Sequence, residues 1–430
     1  MEFPKSIWAE VSADRIPTAP LSGIIETDIL VIGAGFTGLS AAIEARRQGH
    51  DVTILEGKAV GWGASGRNNG QVIPILTSAE PDVWVSRYRG AGERMVNLIG
   101  NSANTLFDLV REFDMQAEAE QNGWFQPAHS PGRVKLSQKR VEAWQRFGFS
   151  PEIKNAKECA DILGTDFWHG GMFNASGGHI NPLALAREMA RVAEDQGAVI
   201  YEESPALSYR RIGQEWVVET PKGKVKSRAL ILASNAYTGE LAPRLASKIA
   251  RSVIPVLGWQ MSTPPISDNL RKSILPGRQA VSDTRGDLRF FRYDARNRLI
   301  TGGAVIGSFG EANRVSKKAA RNLSEAFPEL GELEMTHVWS GYIGMNWDRF
   351  PRVHKLGPDG WAWAGCNGRG VALGTALGRE LARAAMGQSE KELALPITDP
   401  QPFPFHSIGR RVAPTYLAWL KRQDQKEINL

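Results

Sequence analysis

Cysteine is almost missing. Two, Cys159 and Cys366, serve 430 residues, too few for a disulfide framework or a cysteine-rich metal centre. The seven histidines show no H-x-x-x-H-type spacing, so no metal site is expected. No apolar run approaches the ~18 residues that cross a bilayer. Met1-Glu2-Phe3-Pro4-Lys5 lacks the basic-then-apolar order of a secretory leader. These absences predict a cytoplasmic protein without stable membrane insertion. Internal repeats and low-complexity tracts are also missing. Excess charge is small: 52 basic against 46 acidic residues leaves +6, dispersed apart from Lys135, Lys139 and Arg140 and the pair Arg410-Arg411. Nucleic acid is not an expected partner, because phosphate-backbone binding needs a concentrated basic face. Oligomeric state is not legible.

What is present fits a globular enzyme. Hydrophobic residues are 42% and charged residues 23%, ordinary values for a packed protein, and the length suggests two or three domains. Residues 1–26 read as an extended arm. A buried strand at 28–32, a helix at 37–48 and a strand at 51–55 form a βαβ start, which predicts a parallel sheet. A helix is expected near 92–113, a strand pair within 116–128 and a helix at 137–146. A helix at 182–196, a strand at 198–201 and a hairpin of 214–220 with 224–233 return to the parallel sheet. Strands at 252–262, 287–293, 298–304 and 335–343, with a helix at 317–327, predict an inserted antiparallel sheet. A strand at 361–365, a helix at 370–386 and a tail helix at 412–421 complete the pattern.

Gly33-Ala34-Gly35-Phe36-Thr37-Gly38 matches G-x-G-x-x-G. It follows a predicted strand, opens a predicted helix, and has Glu56 at the end of the next strand, the context that makes the fingerprint specific. Gly33 permits the tight turn, Gly35 lets backbone approach a pyrophosphate, and Gly38 lets helix and strand pack. The helix N-terminus offers N–H groups to phosphate. Glu56 suits the ribose hydroxyls. An NAD would need this segment alone. A longer FAD requires distant segments to converge, and three more are available. They are the loop Gly61 to Gln71, which includes Gly63, Ala64, Ser65, Arg67, Asn68, Asn69, Gly70 and Gln71; the strand end Ala233-Ser234-Asn235; and Gly365-Cys366-Asn367-Gly368-Arg369-Gly370-Val371 before the last helix. FAD is the expected cofactor.

Together these segments resemble the D-amino-acid oxidase superfamily, from Asp28 to about Ala385. The loop GASGRNNGQ at 63–71 is similar to that of gamma-glutamylputrescine oxidases. GYIGMNWDRFPRVH at 341–354 and GCNGRGVALGTALGRELA at 365–382 are similar to bacterial L-pipecolate oxidases. The resemblance implies an α/β (α+β) fold of the glutathione-reductase-like type, a Rossmann-type FAD domain with an inserted antiparallel-sheet substrate domain. It assigns 24–90, 150–240 and 345–390 to the FAD domain, 91–149 and 241–344 to the substrate domain, and 391–430 to a tail on the surface. It also implies that Ala206 lies against adenine and that Asn367, Gly368, Arg369 and Gly370 close over the pyrimidine edge of the flavin. Two departures stand out. Ile343 occupies the place of the arginine that clamps a substrate carboxylate in relatives. Gly341 stands where a cysteine anchors flavin covalently in some, so FAD is expected to be noncovalent.

The implied reaction is oxidation of a C–N bond of an amine, secondary amine or imino acid. Hydride passes to flavin N5, the imine hydrolyses, and O2 or another acceptor takes the electrons. Strand alternation offers Arg292 as a carboxylate partner or an interdomain ion pair. Tyr293 and Tyr342 could wall an aromatic pocket or serve packing. His179 could reach the ligand or mark a helix entry, and His337 has the same standing. A flavin-dependent tRNA-modification-type enzyme and an NAD-dependent dehydrogenase remain as alternatives.

Overall fold

The computed structural model describes residues 3–286, 289–304, 310–409, 419 and 422–427. The predicted tail helix at 412–421 and the first two residues of the predicted strand at 287–293 fall largely or wholly outside them.

Strand Gly23–Ile32 is central because its last four residues are apolar on both faces. Ile29 and Val31 enter one core with the helices, and Leu30 and Ile32 enter another with Leu230, Leu232 and Trp216. That double burial is what a strand inside a parallel sheet requires. It pairs in parallel with Val52–Leu55 on one side and with Gly223–Leu232 on the other. Val199–Tyr201 extends the first side. Gly360–Trp363, Val353–Gly357 and Ile397–Thr398 extend the second. Glu215–Glu219 joins Gly223–Leu232 antiparallel, as the predicted hairpin does, and Ser208–Ile212 adds a third strand.

Two helices press together on this sheet. In Ala372–Ala385, a Cβ on Gly378 would lie 2.4 Å from the Thr37 carbonyl oxygen, and Ser40 Oγ of Phe36–Arg47 donates to the Thr375 carbonyl at 2.7 Å. Small residues at the crossing thus bring the fingerprint helix and the last long helix into backbone contact.

The second sheet runs in the order His337–Met345, Ile254–Pro265, Arg298–Gly303, Phe290–Tyr293, Ala280–Ser282, Trp124–Pro127, Gly171–Asn174, Glu152–Lys154. Its pairs are antiparallel except Ala280–Ser282 with Trp124–Pro127, which is parallel.

Several segments lie elsewhere than the sequence suggests. Strands at 152–154 and 171–174, grouped above with the FAD domain, belong to the second sheet. Helix Gly90–Glu112, grouped above with the substrate domain, puts Met95, Val96, Ile99 and Leu106 into the core shared with Val31 and Leu377. The first residues are not simply an extended arm. Ile7–Val11 is a helix capped by Ser6, and Ile7 and Trp8 are fully buried. The tail is not only superficial, since Ile397–Thr398 is an edge strand of the first sheet. Only Trp124–Pro127 forms a strand within 116–128.

Candidate active site

A cavity of about 1630 Å³ lies between the two sheets. Single-ligand pockets run to roughly 300–1,000 Å³, so this one is large enough for a dinucleotide and a second, smaller molecule.

One end is a nucleotide cradle. Gly33 turns the chain at φ +110°, and a Cβ there would sit 3.3 Å from the Ala233 backbone. Gly35 is the N-cap of Phe36–Arg47 and has no side chain to cap it. The Phe36 N–H donates to Ser65 Oγ at 3.1 Å, which ties the 63–71 loop to the helix start. Glu56 is held by its backbone neighbours: the Ala34 and Lys58 N–H groups each donate to its carboxylate at 2.8 Å. Burial pushes its carboxyl pKa up, and these hydrogen bonds oppose the shift. Pro205 and buried Ala206 line the same end, with Gly57.

The 63–71 loop is braced from every side. Asn68 Nδ2 donates to the Ala64 and Ser65 carbonyls, and Asn68 Oδ1 accepts from the Gly70 N–H. Asn69 Oδ1 accepts from the Gln71 N–H, and Gln71 Nε2 reaches the Val281 carbonyl of the second sheet at 2.8 Å. Trp8 Nε1 donates to the Asn68 carbonyl, and Trp339 Nε1 donates to the Arg67 carbonyl. Arg67 lies over the Trp62 ring at 4.1 Å. The late glycine segment is clamped in turn. Asn235 Oδ1 accepts from the Gly365 N–H at 2.9 Å, and Asn367 Oδ1 accepts from the Asn346 N–H at 3.1 Å. Asn367, at φ +51°, and Gly368, at +77°, turn the chain into the helix that begins after Val371.

Most of the cofactor residues expected from sequence meet at this cavity: Gly33, Gly35, Phe36, Thr37, Glu56, Gly63, Ala64, Ser65, Arg67, Asn68, Asn69, Gln71, Ala206, Ala233, Ser234, Asn235, Asn367, Gly368, Arg369, Gly370 and Val371. Gly38, Gly70 and Gly365 stand behind its wall, where a Cβ would strike Gly33 O, Ile180 O and Asn346. The substrate candidates fare differently. Tyr342 lines the cavity, but Arg292, Tyr293 and His179 do not. Arg292 is buried under the loop and donates to the carbonyls of Asn69, Ile180 and Tyr293. Tyr293 points its hydroxyl at the Ile274 carbonyl, in a hydrophobic core. His179 is buried with Nε2 3.0 Å from the Arg278 carbonyl oxygen, and burial holds its pKa well below the usual value. His337 pairs with Glu10 outside the cavity. None of the four lines the cavity: Arg292, Tyr293 and His179 are buried on backbone carbonyls, and His337 is a partly exposed partner of Glu10.

Sequence reasoning missed other wall residues. Tyr237 accepts from the Tyr342 N–H at 3.3 Å, and its ring meets Trp62 and Tyr342 edge-on. Gln126, Arg140, Asp283, Arg285 and Phe290 form the far end. Asp283 pairs with Arg285, and both are buried. Arg140 belongs to the basic cluster seen in the sequence, but its side chain turns inward. The tail supplies a wall as well: Asp424 accepts from the Gly286 N–H, and Glu427 pairs with Arg133 at 2.6 Å. Among the described residues no group of acidic, histidine or cysteine side chains could hold a metal, and no helix is long and apolar enough to cross a membrane.

Residues 28–384 match the family described as DAO, FAD dependent oxidoreductase. The chain belongs to this family of flavin enzymes. A probable oxidoreductase OrdL of Rhizobium meliloti is 30% identical over 403 residues, 90% of this chain and 91% of that protein. A gamma-glutamylputrescine oxidoreductase of Escherichia coli is 28% identical over 405 residues, 94% of each. Among solved structures, L-proline dehydrogenase from P. horikoshii superposes with TM-score 0.73 at 21% identity, covering 86% of this chain and 96% of that one. Glycine oxidase from Geobacillus kaustophilus gives 0.70 at 19%, with the same coverage. These two show the DAO-type fold. Family membership sets aside the NAD-dependent dehydrogenase considered from sequence. The cavity fits FAD on its own terms, with a glycine turn, an uncapped helix start and a preset acid at one end, and length beyond them for a flavin.

Proposed function

We propose that this protein oxidises a carbon–nitrogen bond of a small amine, secondary amine or imino acid, using noncovalent FAD. The observation that carries the reading is one continuous cavity joining the nucleotide cradle to a largely apolar wall of the second sheet. Gly33, Gly35 and the start of the fingerprint helix would hold the pyrophosphate, and Glu56 the ribose. Ala206 would flank the adenine, and the 63–71 and 365–371 segments would enclose the ring system. Bound FAD supplies the two-electron acceptor for the oxidation.

The protein's own contribution is placement and medium. Tyr342, Ile343, Leu257 and Phe290 line the substrate side. An apolar, aromatic wall disfavours an ammonium and so favours the neutral amine that can give up hydride. The braced loop would leave the enclosed ring system little freedom to move. Gly341 and the burial of Cys159 in a separate core favour noncovalent attachment; the other thiol, Cys366, lines the cavity with its Sγ 3.8 Å from the Gly344 carbonyl oxygen. The gamma-glutamylputrescine oxidoreductase among the relatives favours an amine substrate.

The test is anaerobic bleaching of the flavin band, near roughly 450 nm for such cofactors. The panel is putrescine, gamma-glutamylputrescine, pipecolate and N-methyl amino acids. Bleaching by one class is expected; a yellow protein that none of them bleaches overturns the proposal. Acid precipitation is expected to leave the colour in solution, and a yellow pellet would mean a covalent link. The resulting apoprotein tests the cradle. Glu56→Gln keeps the shape but replaces one strong acceptor with an amide, and is expected to weaken FAD uptake by about tenfold or more in a fluorescence titration. Unchanged affinity would remove Glu56 from the site.

A further inference from the structure

Trp347 and Phe403 line the cavity, yet Trp347 is 82% exposed, which puts it at the mouth. The two rings meet edge-on at 5.8 Å. Phe405, 80% exposed, and Ile408, 57% exposed, stand in the same 403–409 segment. Leu241, also exposed, reaches the mouth from helix Thr238–Leu241. The segment is seated firmly on its neighbours. The Phe403 N–H donates to the Arg251 carbonyl at 2.8 Å, and His406 Nε2 lies 2.8 Å from the Val253 carbonyl oxygen. Phe405 holds φ +52°, a backbone state that bulky residues avoid, and its ring gains little packing in return. The charge around these side chains has one sign. Within 238–251, 345–350 and 403–409, every exposed charged side chain is basic: Arg244, Lys248, Arg251 and Arg349. The two acids there, Glu240 and Asp348, are half-buried, and Asp348 is engaged by Arg352 and Arg87.

Exposed apolar side chains grouped in this way mark a contact surface, and the charge beside them selects the partner. A second copy fits poorly. A two-fold contact through this face would set Arg244, Lys248, Arg251 and Arg349 against their own counterparts. An anionic layer fits both features. Tryptophan and phenylalanine side chains settle at the headgroup level of a bilayer, and flanking lysine and arginine are drawn to its negative surface. We propose that the mouth of the cavity docks reversibly on an anionic lipid bilayer. Trp347, Phe405 and Ile408 enter the headgroup layer, and the four basic side chains meet lipid phosphates. In that position the cavity opens onto the interface, so a small molecule partitioned there reaches it without crossing bulk water.

The experiment cosediments the purified full-length protein with vesicles of phosphatidylcholine alone, or of phosphatidylcholine mixed with phosphatidylglycerol, at low and high salt. The protein is expected to bind the anionic vesicles about tenfold or more tightly than the neutral ones, and to lose that advantage as salt rises. Arg244→Gln with Lys248→Gln should weaken binding by about fivefold for each charge removed. Trp347→Ser with Phe405→Ser should weaken it by about tenfold or more. Flavin content and melting temperature check that each variant is folded. Brominated lipid supplies a readout of depth. It should quench part of the tryptophan fluorescence, and Trp347→Phe should still bind but lose that part. Binding that ignores the Trp347 and Phe405 changes would place the contact on another basic face and overturn the proposal. A dimer in sedimentation velocity that the same changes split, without lipid binding, would give the face to a second copy and overturn it. Binding to neither vesicle would leave the face to a protein partner or to the chain's own tail, and would overturn it as well.

Discussion

Replacing Gly38 with alanine is expected to give a colourless protein with a lowered melting temperature. A Cβ at this position would lie 2.0 Å from the Gly33 carbonyl oxygen and 3.0 Å from Val31 Cγ1. The first contact is with backbone, in the very turn that would embrace the pyrophosphate. The Gly33 carbonyl cannot rotate away, and Val31 is fully buried, so helix Phe36–Arg47 must lift off strand Gly23–Ile32. Overpacking of this kind costs about 1–3 kcal/mol or more, and the turn loses its shape as well. Gly35→Ala is the control. There the nearest protein atom is Ser65 Oγ at 2.7 Å, the end of a side chain that can rotate, so a near-normal melting temperature is expected even though the methyl stands in the pyrophosphate cradle and lowers the flavin content. The ratio of flavin to protein absorbance, read with a thermal melt, separates the two. A Gly38→Ala protein as yellow and as stable as wild type would refute the close-packing account.

Replacing Arg292 with methionine is the second large effect. Arg292 gives one hydrogen bond each to the carbonyls of Asn69, Ile180 and Tyr293, and lies 4.8 Å over the Trp8 ring. It holds the 63–71 loop to the second sheet and to the segment before helix Pro182–Asp195. Methionine fills much of the volume but donates nothing. Each buried carbonyl left unmet costs about 1–3 kcal/mol, partly offset because a buried charge is removed as well. A net loss of roughly 3 kcal/mol in chemical denaturation is expected, with FAD affinity reduced because the loop loosens. Selectivity between carboxylated and uncarboxylated amines is expected to be unchanged. A stable Arg292→Met protein that had lost that selectivity would restore Arg292 as the substrate anchor.

The contrast between these two positions shows what the chain spells out locally and what it does not. Gly33, Gly35, Gly38 and Glu56 were legible because the fingerprint is a local object: its turn, helix start and acid lie within 24 residues and follow from backbone sterics. The parallel core strands were legible from apolar runs, and the second sheet from alternation. Arg292 was misread although its strand parity was right. Phe290, on the same face, does line the cavity. Two residues on, the absent side chain of Gly70 opens a slot under the loop, and the guanidinium enters it. A Cβ on Gly70 would stand 2.4 Å from Arg292 Nη2. No pattern within either segment encodes that meeting of residues more than 200 positions apart. Arg140 was hidden for the opposite reason, since charges on a helix normally face water and only the tertiary position of Pro131–Gln145 turns this one inward. The boundary errors share a cause. Helix Gly90–Glu112 and the strands at 152–174 cross between the two sheets along the chain, and nothing in their composition says which sheet they will join.

The pairing of helix Phe36–Arg47 with Ala372–Ala385 has a consequence for biosynthesis. The Ser40–Thr375 hydrogen bond joins residues 335 positions apart. At about 5–20 residues per second, the ribosome delivers the second helix roughly 20–70 seconds after the first. Throughout that interval the fingerprint is complete in sequence but has no lid, and the apolar flank of its helix has no partner. Flavin capture is therefore expected to come late, once Ala372–Ala385 has been made and can close on the fingerprint helix. A polypeptide stopped before Ala372 would emerge colourless with every fingerprint glycine in place.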